Sequence, residues 1–367
     1  MAEGAPLLEH RDALEPLRAL ICALPEPVML VSPDGVVRVA NAAADEVFAT
    51  PMAGARVRAH LRQPDAAAMI ERALDADAPA EAVHRALMVV GSASAETTWQ
   101  ITARRLGAGA GIDGTVVSLH DISHREAAET QRRDFIANVS HELRSPLTVL
   151  AGFIETLQDA AQEDPAARAE FLDIMGRETQ RMAGLVADLL SLSRLEGNER
   201  IRPRDRVSLI AVLRATVAAL RPRIEAAGLQ LDWDVPDDLP EVIGDHDQLV
   251  QVFHNLLENA LKYGAGGGRI ALGAHPLAQF PGMDGPVIRV SVSDQGDGID
   301  PIHVPRLTER FYRVDRARSR EQGGTGLGLA IVKHILNRHR GRLLIRSAPG
   351  EGSSFDAVLP CAAPAAS

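Results

Sequence analysis

Within residues 135–148, Phe-Ile-Ala-Asn-Val-Ser-His-Glu-Leu-Arg-Ser-Pro-Leu-Thr, His141 stands beside Glu142, and Pro146 follows five positions after the histidine. His141 is flanked by Ser140, Glu142, Arg144 and Ser145, a polar setting that turns its imidazole toward water. An exposed imidazole beside a carboxylate is a nucleophile with its own base. The plain alternative is a solvated helix face with a chance His-Glu pair, and this stretch alone leaves both readings open.

Three further groups of residues lie between positions 254 and 330. His254-Asn-Leu-Leu-Glu-Asn-Ala-Leu-Lys-Tyr263 reads as a helix with Asn255, Asn259 and Lys262 on one face and Glu258 adjacent. Amide and carboxylate oxygens suit Mg²⁺, and an ammonium suits phosphate. Asp294-Gln-Gly-Asp-Gly298 follows a predicted strand, so a carboxylate sits at the strand end beside glycines that let backbone approach a ligand. Gly323-Gly-Thr-Gly-Leu-Gly-Leu-Ala330 opens a helix, a turn whose amides bind phosphate. Between the last two, residues 306–322 are arginine-rich with Phe311 and Tyr312 and read as a lid. Singly, each pattern arises in ordinary loops and caps. Their order, closing on Gly350-Glu-Gly-Ser-Ser-Phe355, makes the set specific.

The elements that position these groups follow from periodicity. Ile136, Val139, Leu143, Leu147, Leu150, Ile154 and Leu157 step by three and four, one stripe of a long helix that Pro146 should bend just beyond the histidine. A charged helix without Gly or Pro, residues 123–138, leads straight into it. Asp164-Pro165 caps a second helix running to about Arg194. A lone helical hairpin cannot cover both stripes, so two copies should form a four-helix bundle, each buried Leu contributing about 1.5–3 kcal/mol. Residues 202–206 read as a polar linker into an α/β domain with strands near 229–235, 269–272, 287–293, 343–347 and 355–359.

Ahead of the hairpin, Val28–Val31 and Val36–Val39 flank the turn Ser32-Pro-Asp-Gly35, a helix spans residues 41–48, and strands are expected near 86–90, 98–103 and 115–120. This α+β module resembles a PAS domain in its Pro-Asp-Gly turn, its Asn41-Ala-Ala-Ala44 helix start and its closing Asp121-Ile122-Ser123. His60, His84 and His120 are scattered, and no PAS ligand is assigned. Residues 1–20 read as a short amphipathic or disordered lead.

A chain of 367 residues suggests two or three domains, and 46% hydrophobic with 24% charged residues is a folded composition. A net charge of −10 without a basic stripe argues against nucleic acid as the main partner. Cys22 and Cys361 have no metal or disulfide spacing. No run of eighteen apolar residues occurs, so the chain reads as cytoplasmic, with docking on a membrane protein left open.

Residues 130–360 resemble a sensor histidine kinase of two-component systems, and the resemblance implies roles. His141 falls on the phosphoacceptor, Glu142 on its general base, and Ser145 on a hydroxyl that helps to place the water removing phosphate from the partner regulator. Relatives often carry threonine at the last position, and serine keeps the hydroxyl. For ATP and Mg²⁺, Asn255, Asn259 and Lys262 fall on the N-box, Asn259 as Mg²⁺ ligand, and Tyr263 on an aromatic packed against adenine. Asp294 falls on the adenine acceptor, Gly296 and Gly298 on its backbone neighbours, and Phe311 on the F-box. Gly324, Gly326 and Gly328, with Thr325 and Leu327 between them, fall on the phosphate turn. The implied fold is multidomain α+β: a PAS-like module at 21–122, a linker and dimeric helical hairpin at 123–200, and an α/β sandwich of the GHKL ATPase type at 201–367. Implied partners are a second copy and a response regulator, since no receiver domain is present. Residues 133–157 and 307–319 look most like phosphate-regulon sensor kinases. A GHKL ATPase doing conformational work, a serine kinase, or a regulator phosphatase with little kinase activity are the alternatives.

Overall fold

The computed structural model describes residues 6–75, 79, 82–92, 95–106, 113–158, 164–197, 202–315 and 324–362. It divides into two compact units, Met1–Asp134 and Phe135–Ser367.

The first unit is a five-stranded antiparallel sheet in the order β2-β1-β5-β4-β3, with β1 Val28–Val31, β2 Val37–Ala40, β3 Val83–Ser92, β4 Ala95–Arg105 and β5 Thr115–Asp121. Helices α2 Ala42–Phe48, α3 Val57–His60 and α4 Pro64–Leu74 lie between β2 and β3. Met29, Met69, Ile70, Ile101 and Leu119 form its core, all fully buried. Buried Asn41 organises the entry to the sheet: its Oδ1 accepts from Ala44 N at 3.0 Å and Val28 N at 3.1 Å, while its Nδ2 donates to Leu24 O at 3.0 Å. One group thus caps α2 and ties down the preceding segment. That segment is α1, Pro6–Ala23, a helix of 18 residues where an amphipathic or disordered lead over residues 1–20 was expected. Ile21 buries against Val28, Leu30 and Val39, which fixes its C-terminal turns. Of the three histidines, His60 meets the Phe48 ring edge-on, and His120 lies 3.6 Å from Glu26.

Helix α5, Ser123–Gln158, begins in the first unit and ends in the second. Its start is held by Ser123, whose Oγ accepts from Thr98 N at 2.8 Å. The expected continuity of linker and His141 helix is present, and α5 runs through Pro146 without a break. Helix α6, Pro165–Gly197, starts at Asp164, whose carboxylate accepts from Ala166 N and Ala167 N. Phe153 stacks on Phe171 across the hairpin at 4.9 Å.

The rest of the second unit is a sheet in the order β11-β12-β10-β9-β7: β7 Gln230–Asp234, β9 Arg269–Leu277, β10 Val287–Asp294, β11 Arg342–Ala348 and β12 Gly352–Pro360. The β7–β9 pair is parallel and the others antiparallel. Helices α7 Leu209–Ala226, α8 His246–Tyr263 and α9 Gly328–Arg338 pack into one core with it. The expected polar linker is corrected in part: Asp205–Val207 forms β6 and pairs with β8, Val242–Gly244, because Val207 and Val242 are both buried. Buried His339 closes the base of this core. Its Nε2 accepts from Asp245 N at 3.0 Å, and its Nδ1 donates to Ile335 O at 2.7 Å. Burial holds its pKa below the usual value, although the hydrogen bond to Ile335 opposes this.

Candidate functional site

Helix α8 carries the first half of the site because its two faces differ sharply. Leu249, Val252, Phe253, Leu256, Leu257 and Leu261 are buried, so Asn255, Asn259 and Lys262 project the other way. Asp245 fixes the start of α8 by accepting from Asp247 N at 3.1 Å and Gln248 N at 3.2 Å. Asn255, Glu258, Asn259, Lys262 and Tyr263 line a cavity of about 1030 Å³, together with Asp294, Gly298, Gly324, Thr325, Gly326 and Gly328. Three groups expected to converge, drawn from α8, the end of β10 and the turn before α9, therefore meet at one cavity.

The electrostatics are graded across it. Burial raises the Glu258 carboxyl, but Lys262 at 3.2 Å and Arg223 at 3.1 Å outweigh this and hold it ionised below its usual range. Asp294, 7% exposed, is pushed up by burial, opposed by backbone donors at Gly296 and Ser353. Its Oδ1 accepts from Gly296 N at 2.9 Å. A carboxylate at the end of a strand in a desolvated cleft is suited to one directional hydrogen bond from a ligand amine.

The glycine-rich turn is shaped by contact with the segment before it. Gly326 has φ +72°, and a Cβ there would lie 2.9 Å from the Cα of Phe311. Phe311 N donates to Gly326 O at 2.9 Å, and Asn255 Nδ2 donates to Gly328 O at 3.3 Å. The turn is thus clamped from both sides, with its chain close to the cavity.

Three expected ligand contacts sit elsewhere. Gly296, Phe311 and Leu327 are not among the residues lining the cavity. Gly296 is packed under Tyr263 O, where a Cβ would come within 2.2 Å. Leu327 is fully buried in the core, which leaves only its backbone for a ligand. Phe311 turns its ring to Phe135 of α5, centroids 5.9 Å apart, and so joins the helical hairpin to the α/β domain. Of the expected lid, residues 316–322 lie outside the described residues.

His141 is exposed on α5 and is not among the cavity's lining residues. Ser145 Oγ donates back to His141 O at 3.3 Å. Glu142 is engaged: its Oε2 lies 3.0 Å from Arg181 Nη2 and 3.9 Å from Arg313 Nη1. Sequence reasoning missed Arg181, Arg313 and Asp188, which also line the cavity. Asp188 Oδ2 accepts from Thr325 Oγ1 at 2.8 Å, across 137 positions of sequence. No local pattern marks such a contact.

Hard oxygen donors on Asn255 and Asn259, an ammonium at Lys262 and the clamped glycine turn fit a magnesium nucleotide in chemistry and size. Among the described residues, no group of three or more His, Cys, Asp or Glu side chains could hold a metal alone. Mg²⁺ characteristically keeps several waters and takes few protein ligands.

Three family models match the chain. Residues 22–127 match the PAS fold, residues 131–198 the His Kinase A (phospho-acceptor) domain, and residues 244–363 the histidine kinase-, DNA gyrase B- and HSP90-like ATPase. Sensor protein kinase WalK of Staphylococcus aureus is 37% identical over 250 residues, covering 68% of this chain and 59% of the relative. WalK of Staphylococcus saprophyticus is also 37% identical, over 68% of this chain and 40% of the relative. The chain thus spans about 40–59% of the length of these relatives. The crystal structure of histidine kinase ThkA in complex with response regulator protein TrrA aligns over 94% of this chain and 98% of that one, with a TM-score of 0.51 and 19% identity, a likeness of fold. Neither WalK relative is named for a phosphate regulon, so that narrower likeness rests on residues 133–157 and 307–319 alone. Among the described residues, no helix is long and apolar enough to cross a membrane.

Proposed function

Because this chain belongs to the sensor histidine kinases, we propose that it transfers the γ-phosphoryl of ATP to His141 and then to an aspartate of a separate response regulator. The observation that carries the reading is the convergence of Asn255, Asn259, Lys262, Asp294 and the Gly324–Gly328 turn on one cavity. His141, exposed on α5, supplies the phosphoryl acceptor.

Asp294 accepts the adenine amino group, Tyr263 packs beside the base, and Lys262 with the glycine turn holds the phosphates. Asn259 would hold Mg²⁺, which would supply positive charge to offset that of the phosphates. The exposed imidazole of His141 attacks phosphorus in line, its N–P bond forming as the γ-phosphoryl leaves ADP, and Glu142 accepts the imidazole proton. For that, the α/β domain must leave its present seat on α6 and approach His141, and Glu142 must part from Arg181.

The exposed apolar residues Ile136, Leu147, Ile154, Leu172 and Leu190 of α5 and α6 support a homodimer built through the hairpin. Ser145 places water for removal of phosphate from the regulator. The chain acts in the cytoplasm, and docking on a membrane protein would bring a signal to it. The likeness of residues 133–157 and 307–319 to phosphate-regulon sensor kinases favours phosphate-regulon signalling as the setting. The test is incubation with γ-labelled ATP, then with a panel of response regulators. The reading expects acid-labile, base-stable label on the chain that passes to one regulator, whereas acid-stable label would support a serine kinase.

A further inference from the structure

Among the ionisable groups that line the cavity, Asp188 has no part in this mechanism. Asp188 reaches in from α6, and its Oδ2 accepts from Thr325 Oγ1 at 2.8 Å. The same threonine oxygen accepts from Leu327 N at 3.3 Å, so its lone pair serves the turn while its proton goes to the carboxylate. Asp188 shares the cavity wall with Asn255, Asn259 and Lys262, the groups assigned to metal and phosphate. Burial raises its pKa most, Thr325 opposes this, Glu258 raises it further, and Lys262 and His254 lower it. A desolvated carboxylate therefore sits where the most highly charged part of a nucleotide belongs.

The contact does not hold α6 in place alone. Ser191 exchanges hydrogen bonds with Gln251 of α8 at 2.9–3.1 Å, and Leu185, Leu192 and Leu195 are buried in the core shared with α7, α8 and α9. Loss of the Asp188 charge leaves these contacts intact.

We propose that Asp188 sets the nucleotide affinity of this cavity by competing with phosphate for the glycine-rich turn, so that the Asp188–Thr325 hydrogen bond and a bound triphosphate exclude one another. The inference rests on the nucleotide reading of the cavity. Two physical reasons carry it. Thr325 has one hydroxyl proton and can give it to one acceptor at a time. Like charges a few ångströms apart in a partly desolvated site repel strongly. By reciprocity, seating of α6 weakens nucleotide binding, and nucleotide loosens α6 from the turn. Loading would then help to release the domain toward His141.

The test is calorimetric titration of the full chain with Mg²⁺ and a non-hydrolysable ATP analogue, then with ADP and adenosine. Asp188→Asn keeps the shape and an acceptor oxygen, and Asp188→Ala removes both, with thermal melting to verify folding. Both variants should bind the ATP analogue roughly three- to tenfold more tightly than the unaltered chain. The gain should shrink for ADP and vanish for adenosine. Unchanged or weaker binding of the ATP analogue, or an equal gain for adenosine, overturns the proposal. Failure of the unaltered chain and both variants to bind any nucleotide would instead defeat the reading of the cavity, and this proposal with it.

Discussion

Arg181 of α6 holds Glu142 of α5, Nη2 to Oε2 at 3.0 Å, and thereby engages the carboxylate beside the proposed phosphoacceptor. Both side chains are mostly buried, at 14% and 21% exposure, and Arg181 also reaches Glu178 at 3.5 Å. A carboxylate hydrogen-bonded to a guanidinium is not free to turn its oxygen toward the imidazole. Arg181→Met is expected to raise the initial rate of His141 labelling about two- to fivefold, because a pair of this kind is worth only about 1 kcal/mol. Initial rates at saturating ATP check this. A slower rate would make Arg181 part of the transfer machinery.

Glu142→Gln should separate chemistry from binding. Loss of a positioned base costs on the order of 10²–10⁴-fold in rate, while the cavity, which Glu142 does not line, keeps its residues. Titration with the ATP analogue should return the affinity of the unaltered chain.

Asn259→Ala removes the amide placed for Mg²⁺. Nucleotide affinity measured with Mg²⁺ should fall at least about tenfold, and affinity measured with EDTA should change little. Equal losses in both conditions would move the metal elsewhere.

His339 makes stability depend on pH with a definite sign. Its folded pKa is depressed, so the unfolded chain takes up a proton first as pH falls through about 6.5. Stability from this group is full above that pH and is lost below it, down to the folded pKa. The urea midpoint should therefore fall below pH about 6.5. His339→Leu should lose about 1–3 kcal/mol by orphaning Asp245 N and should flatten the slope.

Gly326→Ala tests the shape of the phosphate turn. With φ +72° and 2.9 Å of room at Phe311 Cα, the added methyl must displace one segment. Left-handed geometry alone costs about 1–2 kcal/mol. Nucleotide binding should weaken markedly while circular dichroism stays unchanged.

Much of this was legible in the sequence for local reasons. Helix α8 announces itself through the Asp245 cap and an apolar stripe from Leu249 to Leu261, so the face bearing Asn255, Asn259 and Lys262 follows directly. Asp294 was placed at a strand end because Val287–Ser293 alternates. Helix α4 was missed because Ala66, Ala67 and Ala68 dilute its stripe, although Pro64 at its first turn was a usable signal. Strands β6 and β8 have three residues each and exist only by pairing across some forty positions. The same limit hid Asp188 and Arg181. On α6 they read as ordinary polar positions, and only the seating of the α/β domain on that helix brings them to the cavity. Phe311 was assigned to the nucleotide, whereas its ring faces Phe135, a partner 176 positions away in sequence.

The central claim is that His141 accepts the phosphoryl group. The direct measurement is incorporation of label from γ-labelled ATP into the purified full chain and its His141→Gln variant, side by side with equal nucleotide binding verified. The variant should show no acid-labile, base-stable label. Equal labelling of the two proteins would contradict the account and leave the α5 helix as a dimer stalk.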